Sequence, residues 1–356
     1  MNYKIVNLES SKHVTAAVLI IYTGGTFGMA KDESGALAPF NFGKVIEHLP
    51  ELKALDLKLT VISFPEPIDS SNVTPNDWKD IGYIIEENYS QYDGFVVLHG
   101  TDTMAYTASA VSFALQGLNK PVIFTGAQIP IGAIRSDARE NLITALEIAS
   151  SKSGDKPRVC EVCIYFNFVL LRANRSQKVN SSMFSAFHAE NYPLLAESGI
   201  SIEYNEAALA PYQNSKLRIK NDFDPNVAIL KIFPGITHQL VKSILGTEGL
   251  RGLILETYGS GNVMKEDWLL SELEQAIKRG VVVVNVSQCV GGKVDLGKYE
   301  TSTGIKKIGV VSGGDLTTEA AITKLMWLLA SNQSSKEVAE KMILPVAGEM
   351  DPQDEY

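Results

Sequence analysis

Five short stretches gather hydroxyls, carboxylates and amines, often beside glycines that let a ligand approach the backbone. They are Thr23-Gly24-Gly25-Thr26, Asp69-Ser70-Ser71-Asn72, His99-Gly100-Thr101-Asp102-Thr103, Thr125-Gly126-Ala127-Gln128, and the basic set Arg172, Arg175 and Lys178. These residue types suit acyl transfer. A threonine hydroxyl is a poor nucleophile until a base takes its proton. A desolvated lysine can have its pKa lowered enough to be that base. Backbone N–H groups around Gly100–Thr101 and Gly126–Ala127 would face a developing oxyanion. Each stretch also has a plainer reading. Gly24-Gly25-Thr26 makes an ordinary tight loop, His99 shapes its turn, and Asp102 caps the helix that follows. Neither G-x-x-x-x-G-K-[ST] nor G-x-G-x-x-G occurs, which leaves phosphate binding without support. On residue types alone, a small polar ligand is expected, and hydrolysis and simple binding both stay open.

The elements that must position these residues are apolar runs at 17–21, 59–64, 95–98, 122–124 and 159–166, separated by helix-period segments. Thr74-Pro75-Asn76-Asp77 opens one helix, with Thr as N-cap, Pro in the first position and an acid in the first turn. Others are expected over 104–118 and 137–149. Near-continuous apolar strands alternating with helices predict a parallel α/β sheet, which binds ligands beyond its carboxyl ends. Each chemical stretch comes after a strand, at or near its carboxyl end, and so is assigned to that crest. A second βα series has strands at 227–232, 253–255, 281–286 and 308–311, with helices over 238–245, 266–279 and 317–330. The segment between the two series is polar and carries Pro211 and Pro225. The expected organisation is a larger N-terminal parallel-sheet (Rossmann/flavodoxin-like) α/β domain over 1–203, a linker over 204–226 and a smaller C-terminal α/β domain over 227–356.

Composition narrows the partners. In 356 residues, 32 basic and 41 acidic side chains leave a net charge of −9, a poor match to nucleic acid or an anionic membrane. Hydrophobic residues at 45% and charged residues at 21% are those of a globular chain. The apolar run 16–21 is too short to span a bilayer, and no small-x-small cleavage site follows it. Three cysteines build no disulfide framework and fit a reducing, cytoplasmic compartment. Cys160 and Cys163 form a C-x-x-C within an expected strand, where an i, i+3 pair points to opposite faces and chelates no single ion. They read as small buried apolar residues.

Two motifs carry a resemblance. Tyr22-Thr23-Gly24-Gly25-Thr26-Phe27-Gly28-Met29 and Leu98-His99-Gly100-Thr101-Asp102-Thr103-Met104-Ala105-Tyr106-Thr107 resemble the paired signatures of bacterial-type L-asparaginases, and most of all the cytosolic type I branch. Supporting segments run nearly end to end, among them Gly126-Ala127-Gln128-Ile129-Pro130, Arg135-Ser136-Asp137, Tyr258-Gly259-Ser260-Gly261-Asn262 and Ser312-Gly313-Gly314-Asp315. The resemblance implies hydrolysis of L-asparagine to L-aspartate and ammonia through a threonine acyl-enzyme, with no cofactor and no metal. It implies Thr26 as nucleophile and Thr101, Asp102 and Lys178 as a second catalytic set, with Thr101 the competing nucleophile or base relay. Ser70 and Ser71 fall in the substrate-carboxylate region, Asn72 and Ala127 are further substrate-binding residues, and Asp102 would pair with the substrate ammonium. Asn262 matches a position that a neighbouring subunit contributes. A homo-oligomer, dimer or tetramer, is therefore implied, and type I relatives are often cooperative homotetramers with a second asparagine site near Ser287-Gln288-Cys289. Neither nucleic acid nor membrane is an expected partner.

One departure matters. Many family members carry a tyrosine on the loop after the first signature, where this chain has Ser34-Gly35-Ala36-Leu37-Ala38-Pro39. Tyr299 resembles a C-terminal-domain tyrosine that serves the role in some relatives and is the expected substitute. Two other readings are distinguishable. The ammonia-releasing component of glutamyl-tRNA amidotransferase shares both signatures but has an extra N-terminal domain, and a net charge of −9 suits tRNA poorly. A non-catalytic amino-acid sensor would bind asparagine without turnover. Selectivity between asparagine and glutamine turns on about one methylene, worth roughly 1–3 kcal/mol, which no motif reports.

Overall fold

The strand Ala16–Gly24 shows how the larger sheet is made. It reads Ala-Ala-Val-Leu-Ile-Ile-Tyr-Thr-Gly, with almost no polar alternation, and is buried along nearly its whole length. Because side chains alternate, Val18, Ile20 and Tyr22 enter one core layer, with Leu142, Ala145 and Leu146. Leu19 and Ile21 enter the opposite layer, with Ile81, Ile84, Ala108 and Val111. A strand buried on both faces needs helices on both sides. Helix α3 (Ala138–Ser150) covers one face, and α1 (Pro75–Asn88) and α2 (Met104–Ala114) cover the other.

This computed structural model describes residues 3–8, 13–31, 37–39, 49–297, 300–331 and 333–352. The chain divides into two compact units, 1–221 and 222–356. In chain order the nine strands of the first unit's large sheet are β1 (Lys4–Leu8), β2 (Ala16–Gly24), β3 (Leu57–Ile68), β4 (Gly94–Leu98), β5 (Val122–Thr125), β6 (Val162–Phe166), β7 (Val169–Arg172), β8 (Ala196–Ser198) and β9 (Ile202–Tyr204). Their spatial order is β1-β3-β2-β4-β5-β6-β7-β8-β9. The centre, β3 to β6, is parallel as expected. Both edges are antiparallel, which the apolar pattern does not reveal: β1 on β3 at one side, and β7, β8 and β9 at the other. The β6–β7 turn is only Asn167-Phe168, both left-handed with φ of 48° and 68°, the geometry a two-residue hairpin requires.

The strand expected from 159 begins at Val162, so Cys160 precedes it. Cys160 and Cys163 are both buried, and burial pushes the Cys160 thiol up to about 11, the state of a structural cysteine. Beyond β9, Arg218–Ile219 pairs with Leu115–Gln116, and the Asn221 amide donates to the Lys79 carbonyl at 2.6 Å.

Among the described residues the second unit has four parallel strands, Val227–Lys231, Gly252–Thr257, Val282–Ser287 and Val311–Ser312, in sequential order. Leu253, Leu255 and Val283 pack with Val241, Leu245, Leu269 and Leu273 of helices α4 (His238–Leu245) and α5 (Asp267–Lys278). Ile305 of helix α6 (Glu300–Lys307) joins the same core. Helix α7 (Thr318–Leu329) lies so close to Gly252 that a Cβ there would fall 2.7 Å from Leu325. Among the described residues no helix is long and apolar enough to cross a membrane.

Candidate active site

The carboxyl ends of β2, β3, β4 and β5 form a crest held by backbone contact. Gly24 pairs with Ile68, and the Gly25 N–H donates to the Ile68 carbonyl at 3.1 Å. A Cβ on Gly25 would fall 2.5 Å from both Cα and N of Gly100. A Cβ on Gly100 would fall 2.5 Å from the Ser70 hydroxyl, and one on Gly126 would fall 2.4 Å from the His99 carbonyl. Three glycines thus let four strand ends meet where side chains would hold them apart. The residues that follow Gly25 and Gly100 are Thr26 and Thr101.

Lys178 joins this crest from the short strand Gln177–Lys178, whose partner is Phe187–His188. Its ammonium donates to the Thr101 hydroxyl and to Asp102 Oδ1, both at 2.7 Å. The Lys178 side chain is 16% exposed and that of Asp102 66%, so the amine is sheltered while the carboxylate faces solvent. The Thr101 hydroxyl in turn donates to Gln128 Oε1 at 3.3 Å. The Gln128 amide donates to the Met183 carbonyl at 2.9 Å, and the Gln128 and Ile129 N–H groups are held by the Asp137 carboxylate. Sequence reading missed Gln128 as a partner of Thr101. Its signal was its place right after a strand end.

The other expected residues divide. Ser70 is buried and its carbonyl accepts from Thr103 at 2.6 Å, whereas Ser71 and Asn72 are exposed on the turn Ser70–Asn72, with Asp69 accepting from the Ser71 N–H and hydroxyl. Thr26 opens the turn Thr26–Gly28 and is partly exposed. Ala127 is 2% exposed, and the carbonyl of Gly126 before it accepts from Asn141 at 3.0 Å. Asn262 belongs to the second unit, in a tight turn closed by paired backbone bonds with Tyr258. Tyr299 and Ser34-Gly35-Ala36 lie outside the described residues. Arg172 and Arg175 differ from Lys178: Arg172 is buried against Glu161 at 2.5 Å, and both guanidinium groups stack on Tyr192. Among the described residues no group of three or more His, Cys, Asp or Glu side chains is placed to hold a metal ion.

A doubly wound α/β unit with a hydroxyl, a carboxylate and an amine converging on its carboxyl crest, followed by a second parallel unit, defines the class: two-unit α/β proteins equipped for acyl transfer. Comparison with known proteins narrows it. The family model for the asparaginase N-terminal domain matches residues 17–210, and that for the glutaminase/asparaginase C-terminal domain matches 226–342. The chain belongs to the asparaginase family. It is 38% identical to L-asparaginase 1 of Escherichia coli (strain K12) over 340 residues, 95% of this chain and 99% of that one. The crystal structure of L-asparaginase I from Vibrio cholerae superposes with a TM-score of 0.87 at 41% identity, covering 94% and 99% of the two chains. A glutamyl-tRNA(Gln) amidotransferase component from Pyrococcus abyssi is 32% identical over 94% of this chain, but the match covers only 77% of that protein's length.

Proposed function

We propose that the protein hydrolyses L-asparagine to L-aspartate and ammonia through a threonine acyl-enzyme. The observation that carries the reading is the Lys178 ammonium bridging the Thr101 hydroxyl and Asp102 on the crest beside the Thr26 turn. Asp102 is the exposed member and takes the substrate ammonium, with Ser70, Ser71 and Asn72 on the carboxylate side. Lys178, hydrogen-bonded to the Thr101 hydroxyl, is the base of the step and acts in it as the neutral amine. Thr26 Oγ attacks the side-chain amide carbon as its proton leaves along Thr101 and Lys178. The tetrahedral oxyanion faces the N–H groups at Gly100–Thr101 and Gly126–Ala127. Its collapse breaks the C–N bond, the leaving nitrogen takes up the proton, and ammonia departs. Water then cleaves the ester, releasing aspartate and restoring the hydroxyl.

The same proposal makes the protein a cytoplasmic homo-oligomer, with Asn262 completing a neighbour's site and Tyr299 activating Thr26. Support comes from the type I likeness, and for the oligomer from the match of Asn262 to a residue that relatives supply in trans.

Ammonia release from L-asparagine and from L-glutamine tests the reading, with mass spectrometry of the quenched enzyme. The expected result is turnover of asparagine, sigmoidal if a second asparagine site operates, and an aspartyl adduct that is lost in Thr26→Ala. Asparagine binding without turnover would favour a sensor, and a preference for glutamine would favour the amidotransferase reading. A Tyr299→Phe variant at wild-type kcat would remove that residue from the mechanism.

A further inference from the structure

His99 directly follows β4 and precedes Gly100 and Thr101, and the residue is 1% exposed. Ring Nδ1 lies 2.7 Å from the Gly100 carbonyl oxygen. A carbonyl only accepts, so Nδ1 carries the hydrogen and Nε2 is the bare acceptor. Nε2 is buried and finds no hydrogen-bond partner among the described residues. The ring tilts against Phe124 at 6.1 Å between centroids. Burial pushes the imidazole down to about 4, outweighing the Gly100 carbonyl and Asp77, which act in the opposite direction. A neutral ring with a buried, weakly basic Nε2 is a poor proton shuttle near neutrality. Only the Nδ1–H bond gives it a polar role.

That bond is well placed. The Gly100 carbonyl shares its peptide with the Thr101 N–H, so holding one end aims the other. Accepting a hydrogen bond also polarises the peptide and strengthens its N–H as a donor, by about 10–30%. The backbone around it leaves little slack. The His99 N–H donates to the Thr125 carbonyl at 3.0 Å, and Gly25 and Gly126 press on the backbone from two sides.

We propose that His99 is a positioning residue, whose Nδ1–H holds the Gly100–Thr101 peptide so that the Thr101 N–H and hydroxyl face the reacting amide. This rests on the asparagine-hydrolysis reading, so wild-type turnover is measured beside the variants. Without wild-type turnover that reading fails, and the ring's tautomer still decides the proposal's structural premise. His99→Asn places an amide N–H where Nδ1–H stood, His99→Gln places it where Nε2 stood, and His99→Leu removes it. The kcat for asparagine is expected to fall about 10–100-fold in the Leu and Gln variants, the scale of a small misplacement of a reacting group. KM stays nearly unchanged, and the Asn variant returns to within severalfold of wild type. Equal kcat in the Asn and Gln variants, or wild-type kcat in the Leu variant, would overturn the proposal. Wild-type ¹⁵N histidine spectra need no variant to fold. One of the chain's five histidines is expected as a neutral Nδ1–H tautomer that does not titrate between about pH 8 and about pH 5. Finding only Nε2–H tautomers, or only rings that titrate near neutrality, would refute it independently of activity.

Discussion

At Thr101 two bonds define what the hydroxyl can do. It accepts from Lys178 at 2.7 Å and donates, more weakly, to Gln128 Oε1 at 3.3 Å. A hydroxyl facing an ammonium has a stabilised alkoxide. A hydroxyl that must pass its proton onward needs a neutral amine. The two demands separate in Lys178→Arg, which keeps the charge but cannot accept a proton. If Lys178 is the base, Arg and Met variants should both lose about 10²–10⁴-fold in kcat, the range of general-base catalysis. If charge alone matters, the Arg variant should stay well above the Met variant. Steady-state rates with asparagine at matched folding distinguish them. Hydroxyls nearby show why residue type alone misleads. Thr23 donates to the Leu98 carbonyl, Thr103 to Ser70 and Thr125 to Tyr165, so these threonines stitch the crest instead of reacting. All three stand in stretches that a count of polar groups would treat as chemistry. Arg172, committed to Glu161, is the same lesson in a cation.

At the scale of elements, the site depends on how closely strand ends meet. Gly25 has φ of 82° and abuts the Gly100 backbone, so Gly25→Ala brings left-handed strain and a backbone clash together. The strain costs roughly 1–3 kcal/mol. The clash must part the Thr26 and Thr101 turns, and an ångström of misplacement is worth about 100-fold in kcat. Gly154→Ala is the comparison, because φ is 62° there but nothing lies within 4 Å of the added Cβ. It should cost about 1–2 kcal/mol in urea unfolding and leave kcat unchanged. If both variants keep kcat, close strand packing is not what sets the site. The elements that carry the crest were legible for a plain reason: β2, β4, β5, β6 and residues 59–64 of β3 are buried on both faces and read as apolar runs. β8 and β9 were not, being three-residue strands with exposed Glu197 and Glu203, too short for a period to emerge. The rule that ligands sit beyond the carboxyl ends of parallel strands picked out the crest from sequence. The contact of Lys178 with Thr101, 77 residues earlier, has no local signature, and only the family motif supplied it.

For the whole molecule, composition set a broad frame, and a buried charge in the second unit shows what it leaves out. Lys324 and Glu349 form an ion pair at 2.6 Å with both side chains 0% exposed. The Lys324 ammonium also donates to the carbonyls of Met342 and Leu344, while the Glu349 carboxylate accepts from the N–H groups of Val346 and Ala347. One pair thus fastens the segment after α8 (Ser335–Met342) onto α7. Burial holds Lys324 below the ordinary lysine range despite the attraction of Glu349, so desolvation outweighs the Coulombic gain. By linkage, the folded state binds this proton less tightly than the unfolded chain. Stability from this group should therefore rise with pH in the interval below the ordinary lysine value of 10.5, and not fall there. The same imbalance fixes the outcome of mutation. Lys324→Met alone or Glu349→Gln alone strands a buried charge or its polar partners, and each should destabilise by about 3–5 kcal/mol. The Lys324→Met/Glu349→Gln double variant leaves no charge, and its glutamine carbonyl still accepts from Val346 and Ala347. It should be more stable than the sum of the two losses predicts, though below wild type, because the Met342 and Leu344 carbonyls lose their donor. Hydrogen exchange across 318–350 with urea unfolding closes the cycle. Additive losses would mean that the two side chains act separately and that the pair is not what fastens the segment.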